Sequence, residues 1–338
     1  MARIGVLGAG SWGTTLGLLL LDKVHAVTLW EFDPEQVDAV RRDGENTKFL
    51  PGVPVPPDLA ITNDVAEAVT GASAVVFVTP SHAVRSTARE ARRFVADGAV
   101  VVNAAKGIEN DTLARMSEVL SAELDRPDAR RIASLVGPSH AEEVSRRLPT
   151  TVVAASFEEE TAVAVRDLFM TEYFRVYTNT DLVGVELGVS LKNVIAIAAG
   201  ICDGLGYGDN TKGALITRGL TEMTRLGVAM GGRPATFAGL SGMGDLITTC
   251  ISRHSRNRYV GEKIASGMTL SQVLDSMVMV AEGVRTTRSA AELARRHSIE
   301  MPITEQMNEV LFHDKDPKRA IAELMVRDPK PETVEGIW

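Results

Sequence analysis

The chain has 338 residues, 45% hydrophobic and 24% charged, the makeup of a globular protein of about two domains at roughly 100–200 residues each. A formal net charge of -8 and a pI near 5.4 exclude a generally basic surface for nucleic acid or anionic lipid, because a polyanion is repelled on average; local basic pockets for a small anion remain open. Cys202 and Cys250 lack CxxC spacing, so neither a disulfide framework nor a metal site is expected, and a reducing cytoplasm is the expected compartment.

The opening run MARIGVLGAGSWGTTLGLLLL imitates a signal peptide, but Gly8, Gly10 and Gly13 interrupt it and no small-residue cleavage site follows, so it reads as folded structure. No other segment approaches the ~20 uninterrupted apolar residues of a membrane span. Short apolar runs then alternate with amphipathic helical patterns. The expected strands are 3–7, 26–31, 59–62, 74–79, 99–105, 132–137, 150–156 and 174–179, mostly apolar throughout, as strands buried on both faces are. Between them PEQVDAVRRD, HAVRSTAREARRFV and TLARMSEVLSAEL read as surface helices with a charged outer face.

From about residue 181 the strand pattern stops. Long helical patterns follow at 182–203, 211–230, 256–266, 283–297 and 304–312, separated by turns such as GLGYGDN, GGRPA and SIEMP, and the tail RDPKPETVEGIW reads as a mobile end. This order predicts an α/β protein: a Rossmann-type doubly wound, mainly parallel sheet at 1–180 that binds a dinucleotide, followed by an all-helical domain at 181–338 for substrate binding and catalysis.

The motifs point the same way. GAGSWG at 8–13 is a GxGxxG placed directly after a strand and opening a helix. Gly8 permits the tight turn, Gly10 lets backbone approach a pyrophosphate, and Gly13 lets helix and strand pack closely. At the end of the second strand LWEFDPE offers Glu31 and Asp33 with no adjacent arginine or lysine. An acid there bonds the ribose 2′-hydroxyl of NAD, so NAD is favoured, although Asp33 serves equally well as the cap of a helix starting at Pro34.

At the carboxyl edge of the sheet, Lys106 in AAKG would project a cation into the ligand crevice, or lie solvated in its loop. Ser81 and Ser139 suit helix caps or ligand hydroxyls alike, and His82 and His140 read as helix-entry residues.

In GVSLKNVIAIAAGICDGLGYGDN, Lys192 has Gly188, Val189, Ile195 and Ala196 as helical neighbours. Such a face desolvates the ammonium and lowers its pKa toward the range of a proton-transfer group; a snorkelling or salt-bridged lysine is the alternative. SGMGDLITTC sets Asp245 either beside such a lysine or at a helix cap. SRNR at 255–258 suits a phosphate at a helix start, or a solvated helix face.

Together GAGSWG, NAAKGIE, GPSHAEEV, the KN-helix with its glycine turn, SGMGDLITTC and SRNR resemble, in order from about residue 3 to 325, the glycerol-3-phosphate dehydrogenases of the bacterial biosynthetic type. The resemblance implies reversible reduction of dihydroxyacetone phosphate to sn-glycerol 3-phosphate with NAD(P)H, feeding glycerophospholipid synthesis, in a cytoplasmic homodimer. It assigns Ser11, Trp12, Phe32, Ala141, Val280 and Glu282 to the cofactor beside Gly8, Gly10 and Gly13. Lys106, Gly137 and Ser139 match the region where nicotinamide meets substrate. Lys192 matches the proton acceptor, and Asn193, Asp245, Thr249, Ser255, Arg256 and Asn257 match substrate positions, Arg256 also contacting cofactor. The catalytic set is thus Lys192, Asp245 and Lys106. One departure stands out: many bacterial members carry arginine or histidine where this chain has Phe32, so NADP use is less expected than NAD use. The rival readings are a ketopantoate-type reductase or hydroxyacid dehydrogenase, which would act on carboxylates, and a non-catalytic NAD(H) sensor.

Overall fold

The computed structural model describes residues 2–126, 129, 131–329 and 331–332, so most of the tail read as a mobile end lies outside the described residues. The chain forms two compact units, Met1–Lys106 with Met116–Leu182, and Gly107–Arg115 with Val183–Trp338. The boundary near 181 therefore carries one exception, a short segment from the first half that packs with the second.

The first unit holds strands β1 (Arg3–Leu7), β2 (Ala26–Trp30), β3 (Ala60–Thr62), β4 (Ala74–Phe77), β5 (Val100–Asn103), β6 (Ile132–Val136), β7 (Thr150–Ala155) and β8 (Phe174–Asn179). They form one eight-stranded sheet in the order β3-β2-β1-β4-β5-β6-β7-β8. All pairings are parallel except β6 with β7. The strand order reverses between β1 and β4, where Leu7 pairs with both Trp30 and Phe77; in a doubly wound sheet this is where the crevice for a ligand opens. β4 and β6 are buried along their whole length, whereas β8 at the edge alternates, turning Phe174 and Val176 inward.

Local chemistry sets the element ends. The expected strand 99–105 stops at Asn103, whose side chain accepts from the Ala105 amide and turns the chain. The helix Pro34–Asp43 starts at an Asp33 cap and ends at Gly44 with φ 61°. The helix expected from Thr112 begins only at Met116, because Arg115 is still in an extended bridge with Ile108.

The second unit is helical and is built around Leu182–Gly204, which is joined by Asp209–Ala229, Arg256–Ala265, Glu282–His297 and Pro302–Phe312. Leu182–Gly204 is long and apolar enough to cross a bilayer by length and composition, although Glu186, Lys192 and Asp203 interrupt its apolar run, and 94% of its apolar window is buried; a mostly apolar helix buried in this way is the core helix of a large packing unit. Glycines set the closest helix crossing. A Cβ on Gly200 would stand 1.9 Å from the Arg258 carbonyl oxygen, and one on Gly261 would stand 2.0 Å from that of Ile197. The approach of these two backbones fixes the start of Arg256–Ala265 against the core helix. The short helices Pro234–Phe237, Asp245–Ile251, Leu270–Asp275 and Pro317–Met325, and the wider turn Leu240–Gly244, were not legible because so few turns carry little periodicity.

Candidate active site

The site residues fall into two groups, one in each unit. In the first, the backbone leaves β1 through Gly8 at φ 117°, a left-handed value that an L side chain rarely adopts. A Cβ on Gly13 would stand 1.8 Å from the Gly8 oxygen, so only glycine lets the helix Ser11–Asp22 start this close to the strand. Gly10 is different: it precedes that helix with no side-chain cap, no acid occupies the first turn, and a Cβ there meets nothing within 4 Å. Open space in front of an uncapped helix N-terminus is what a pyrophosphate requires, so these residues fit a dinucleotide.

The loop is braced from behind. Buried Asn46 donates to the Ala9 carbonyl (2.7 Å) and to Thr14 Oγ1 (2.9 Å), and itself accepts from Gln36 (3.0 Å). Sequence reasoning missed Asn46 and Gln36; no spacing rule ties them to the glycines. Ser11 is buried at the helix start. Trp12 packs against the buried cluster of Leu50, Val53 and Ala141, which brings two of the expected cofactor residues into one neighbourhood. Trp12 Nε1 is buried without a hydrogen-bond partner among the described residues.

At the end of β2, Glu31 is buried; burial pushes its carboxyl up, against the Asp33 and Ala9 amides that hold it down. Phe32 is 76% exposed. Asp33 caps its helix, Oδ1 accepting from the Glu35 amide at 3.0 Å. No base adjoins these acids along the chain, but the fold brings Lys48 Nζ to 3.9 Å from Asp33 Oδ2.

On the β5 and β6 edge, Lys106 Nζ donates to the Gly137 carbonyl at 2.7 Å, and Ser139 Oγ donates to the same oxygen at 3.1 Å. The three expected residues of this edge are therefore in contact. Ser139 is used in the turn rather than as a helix cap, and His140 stands at the head of Ala141–Val144 without capping it through its side chain.

In the second unit Lys192 and Asp245 form an ion pair at 2.7 Å with side chains 5% and 2% exposed. Lys192 also donates to Thr249 Oγ1 at 2.5 Å, and that hydroxyl donates to the Asp245 carbonyl at 2.6 Å. Sequence made Asp245 either a lysine partner or a helix cap; it is the first residue of Asp245–Ile251, turned inward onto Lys192. The approach depends on Gly188, where a Cβ would come within 2.7 Å of the Ser241 oxygen. A lysine that remains buried against one carboxylate and one hydroxyl is held at a fixed point in a low-dielectric setting, the arrangement in which a proton can be delivered to a defined atom.

Ser255 caps Arg256–Ala265, accepting from the Arg258 amide. The two guanidiniums of SRNR separate here. Arg258 is taken by Asp203 (2.6 Å) and Glu262 (2.7 Å), while the exposed Arg256 donates to the Val280 carbonyl at 3.0 Å. Buried Asn257 works as a strut: Nδ2 donates to Asn193 Oδ1 and Oδ1 accepts from the Gly283 amide, each at 2.9 Å. It thereby ties the lysine helix to the start of Glu282–His297, next to Val280 and Glu282. Cys250, one residue from Thr249, has its thiol pushed up to about 12 by burial, which removes it as a nucleophile.

Comparison with known proteins identifies the family. Residues 3–162 match the model of the NAD-dependent glycerol-3-phosphate dehydrogenase N-terminus and residues 181–322 that of its C-terminus. The chain is 54% identical over 332 residues, 98% of it and 99% of the relative, to the glycerol-3-phosphate dehydrogenase (NAD(P)+) of Citrifermentans bemidjiense. It is 55% identical over 98% of each chain to that of Geobacter sulfurreducens. Among solved structures, the glycerol-3-phosphate dehydrogenase of Coxiella burnetii superposes with a TM-score of 0.91 at 37% identity, covering 96% of this chain and 99% of that one. Two family models in the expected order and relatives matched end to end leave one conclusion: the chain belongs to the NAD-dependent glycerol-3-phosphate dehydrogenase family.

Proposed function

We propose that the protein reversibly reduces dihydroxyacetone phosphate to sn-glycerol 3-phosphate, with the first unit binding NAD(H) or NADP(H) and the second carrying substrate and proton chemistry. When bound, the dinucleotide supplies or accepts the hydride at C2. The Lys192 ammonium gives a proton to the oxygen on C2 as the carbonyl becomes an alkoxide, and neutral Lys192 takes it back in the oxidative direction. Asp245 and Thr249 orient the ammonium. Arg256 binds the substrate phosphate, and this remote attachment positions C2. Ser255 and Asn257 hold the segment carrying Arg256, and Asn193 is held in turn by Asn257. Lys106, fixed on the Gly137 carbonyl beside Ser139, supplies a second cation toward substrate and cofactor.

The observation that carries the reading is the buried Lys192–Asp245–Thr249 cluster in a member of this family. Purified protein should oxidise NAD(P)H with dihydroxyacetone phosphate and not with ketopantoate or unphosphorylated dihydroxyacetone. Turnover of ketopantoate would favour the carboxylate reductases, and tight NADH binding without any turnover would favour a sensor. The family's role also leads us to place the enzyme in the cytoplasm, feeding glycerophospholipid synthesis as a homodimer. Sedimentation of the purified chain at monomer mass would refute the dimer.

A further inference from the structure

The end of β2 is where a dinucleotide fold reads the 2′ position of the adenosine ribose, and here it is built unusually. Phe32 carries no charge and Glu31 is buried beneath the loop. That leaves Asp33 as the acid that can meet the ribose. Its Oδ1 is committed to the Glu35 amide at 3.0 Å, and its Oδ2 faces Lys48 Nζ at 3.9 Å. At this distance the pair lies outside hydrogen-bond range, and with side chains 47% and 32% exposed both groups are hydrated. It is a loose pair, one that a stronger anion can displace.

The lysine is nonetheless well placed. It lies between buried Asn46 and Phe49, and the Phe49 and Leu50 amides donate to the Asn46 carbonyl (3.2 and 2.7 Å). Asn46 is the residue whose side chain braces Ala9 in the glycine loop. The segment that presents Lys48 is therefore tied to the segment that fits the pyrophosphate, and its ammonium lies over the Phe49 ring, 5.1 Å from the centroid.

We propose that Lys48 sets the cofactor range of this chain. With NAD(H) it neutralises Asp33, which accepts from the ribose hydroxyls; with NADP(H) it leaves Asp33 and pairs with the 2′-phosphate, replacing a base at position 32. A phosphate carries more charge than a carboxylate and makes charge-assisted bonds, so the exchange favours it. This assignment rests on the dinucleotide reading of the first unit.

Calorimetry on the full chain tests it, with adenosine 2′,5′-bisphosphate and adenosine 5′-monophosphate as probes. Lys48→Ala should lower the preference for the bisphosphate, taken as the ratio of the two Kd values, by about tenfold. Lys48→Arg should keep it. Asp33→Asn, which retains a helix cap, should raise it, and added salt should shrink the Lys48→Ala effect because the pair is exposed. The ratio of kcat/KM for NADPH to that for NADH should move in parallel. An unchanged Kd ratio in Lys48→Ala overturns the assignment. If the unaltered protein binds neither nucleotide, the dinucleotide reading itself fails and the assignment with it.

Discussion

Breaking the Lys192–Asp245 pair separates what the site needs for stability from what it needs for chemistry. Both side chains are almost fully buried, 5% and 2% exposed, so solvent screens their attraction little. Removing one partner of a buried pair leaves a charge without its main counter-ion and costs about 3–5 kcal/mol. Lys192→Met should lose stability in that range. Asp245→Asn, which keeps an oxygen near Thr249, should fall at its lower end. The double variant holds neither charge, so it should be more stable than the sum of the single losses by about 1–3 kcal/mol. Turnover should not recover with stability: any variant lacking Lys192 should also lose the proton transfer proposed for it, a loss of about 10²–10⁴-fold. Urea unfolding of the four proteins at neutral pH, with NADH oxidation by dihydroxyacetone phosphate measured on the same samples, tests both halves. Losses that simply add would refute the energetic coupling. Turnover of Lys192→Met near that of the unaltered enzyme would sink its role in proton transfer.

Three further outcomes are expected. Arg256→Ala should raise KM for dihydroxyacetone phosphate by about 10–100-fold, with the Kd for NADH changing far less; an unchanged KM would place the phosphate elsewhere. Gly10→Ala meets open space in the fold, so its stability should change by less than about 1 kcal/mol; NADH affinity should fall at least about tenfold because the methyl stands where the pyrophosphate approaches. Equal affinity would count against the loop's assignment. Glu222 caps Pro302–Phe312, accepting from the Ile303 (2.7 Å) and Thr304 (3.2 Å) amides, and burial raises its carboxyl to about 7 despite those donors. The folded state thus retains a proton that the unfolded chain releases near 4.5, and stability from this group, full below that pH, declines up to about 7. Replacing Glu222 with Gln should flatten this part of the stability–pH curve, and an unaltered slope would show that another group sets it.

The parts of the molecule written in local pattern were legible from sequence. Doubly apolar runs mark β4 and β6, and GAGSWG marks the first turn because strand, glycines and helix adjoin in the chain. Lys192 was legible as a question: its apolar neighbours show burial, but Asp245, the partner that makes it ion-paired instead of snorkelling, lies on another helix. Asp33 was equally ambiguous, and it serves as the helix cap. The rest depends on side chains brought together by packing. Arg256 and Arg258 look alike in SRNR, and only the position of Asp203 on the core helix separates them. Asn257 reads as a ligand and also acts as a strut. The apparent absence of a base near Glu31 and Asp33 holds along the chain and fails in space.

The segment Gly107–Arg115 bears on how this protein can be made. Ile108 and Leu113 are buried in the core around Leu182–Gly204, Ser289 Oγ donates to the Ile108 carbonyl, and Arg115 meets Glu186 at 2.8 Å with both side chains buried. During vectorial synthesis these residues leave the ribosome well before the helices that cover them, so the second core cannot close until an early part of the chain is captured by a late one. A gene split at residue 181 would strand two apolar side chains on one product and remove Arg115 from Glu186 in the other. Such halves should be insoluble when expressed apart, and a circular permutant would have to keep this short segment on the same polypeptide as the helices it completes.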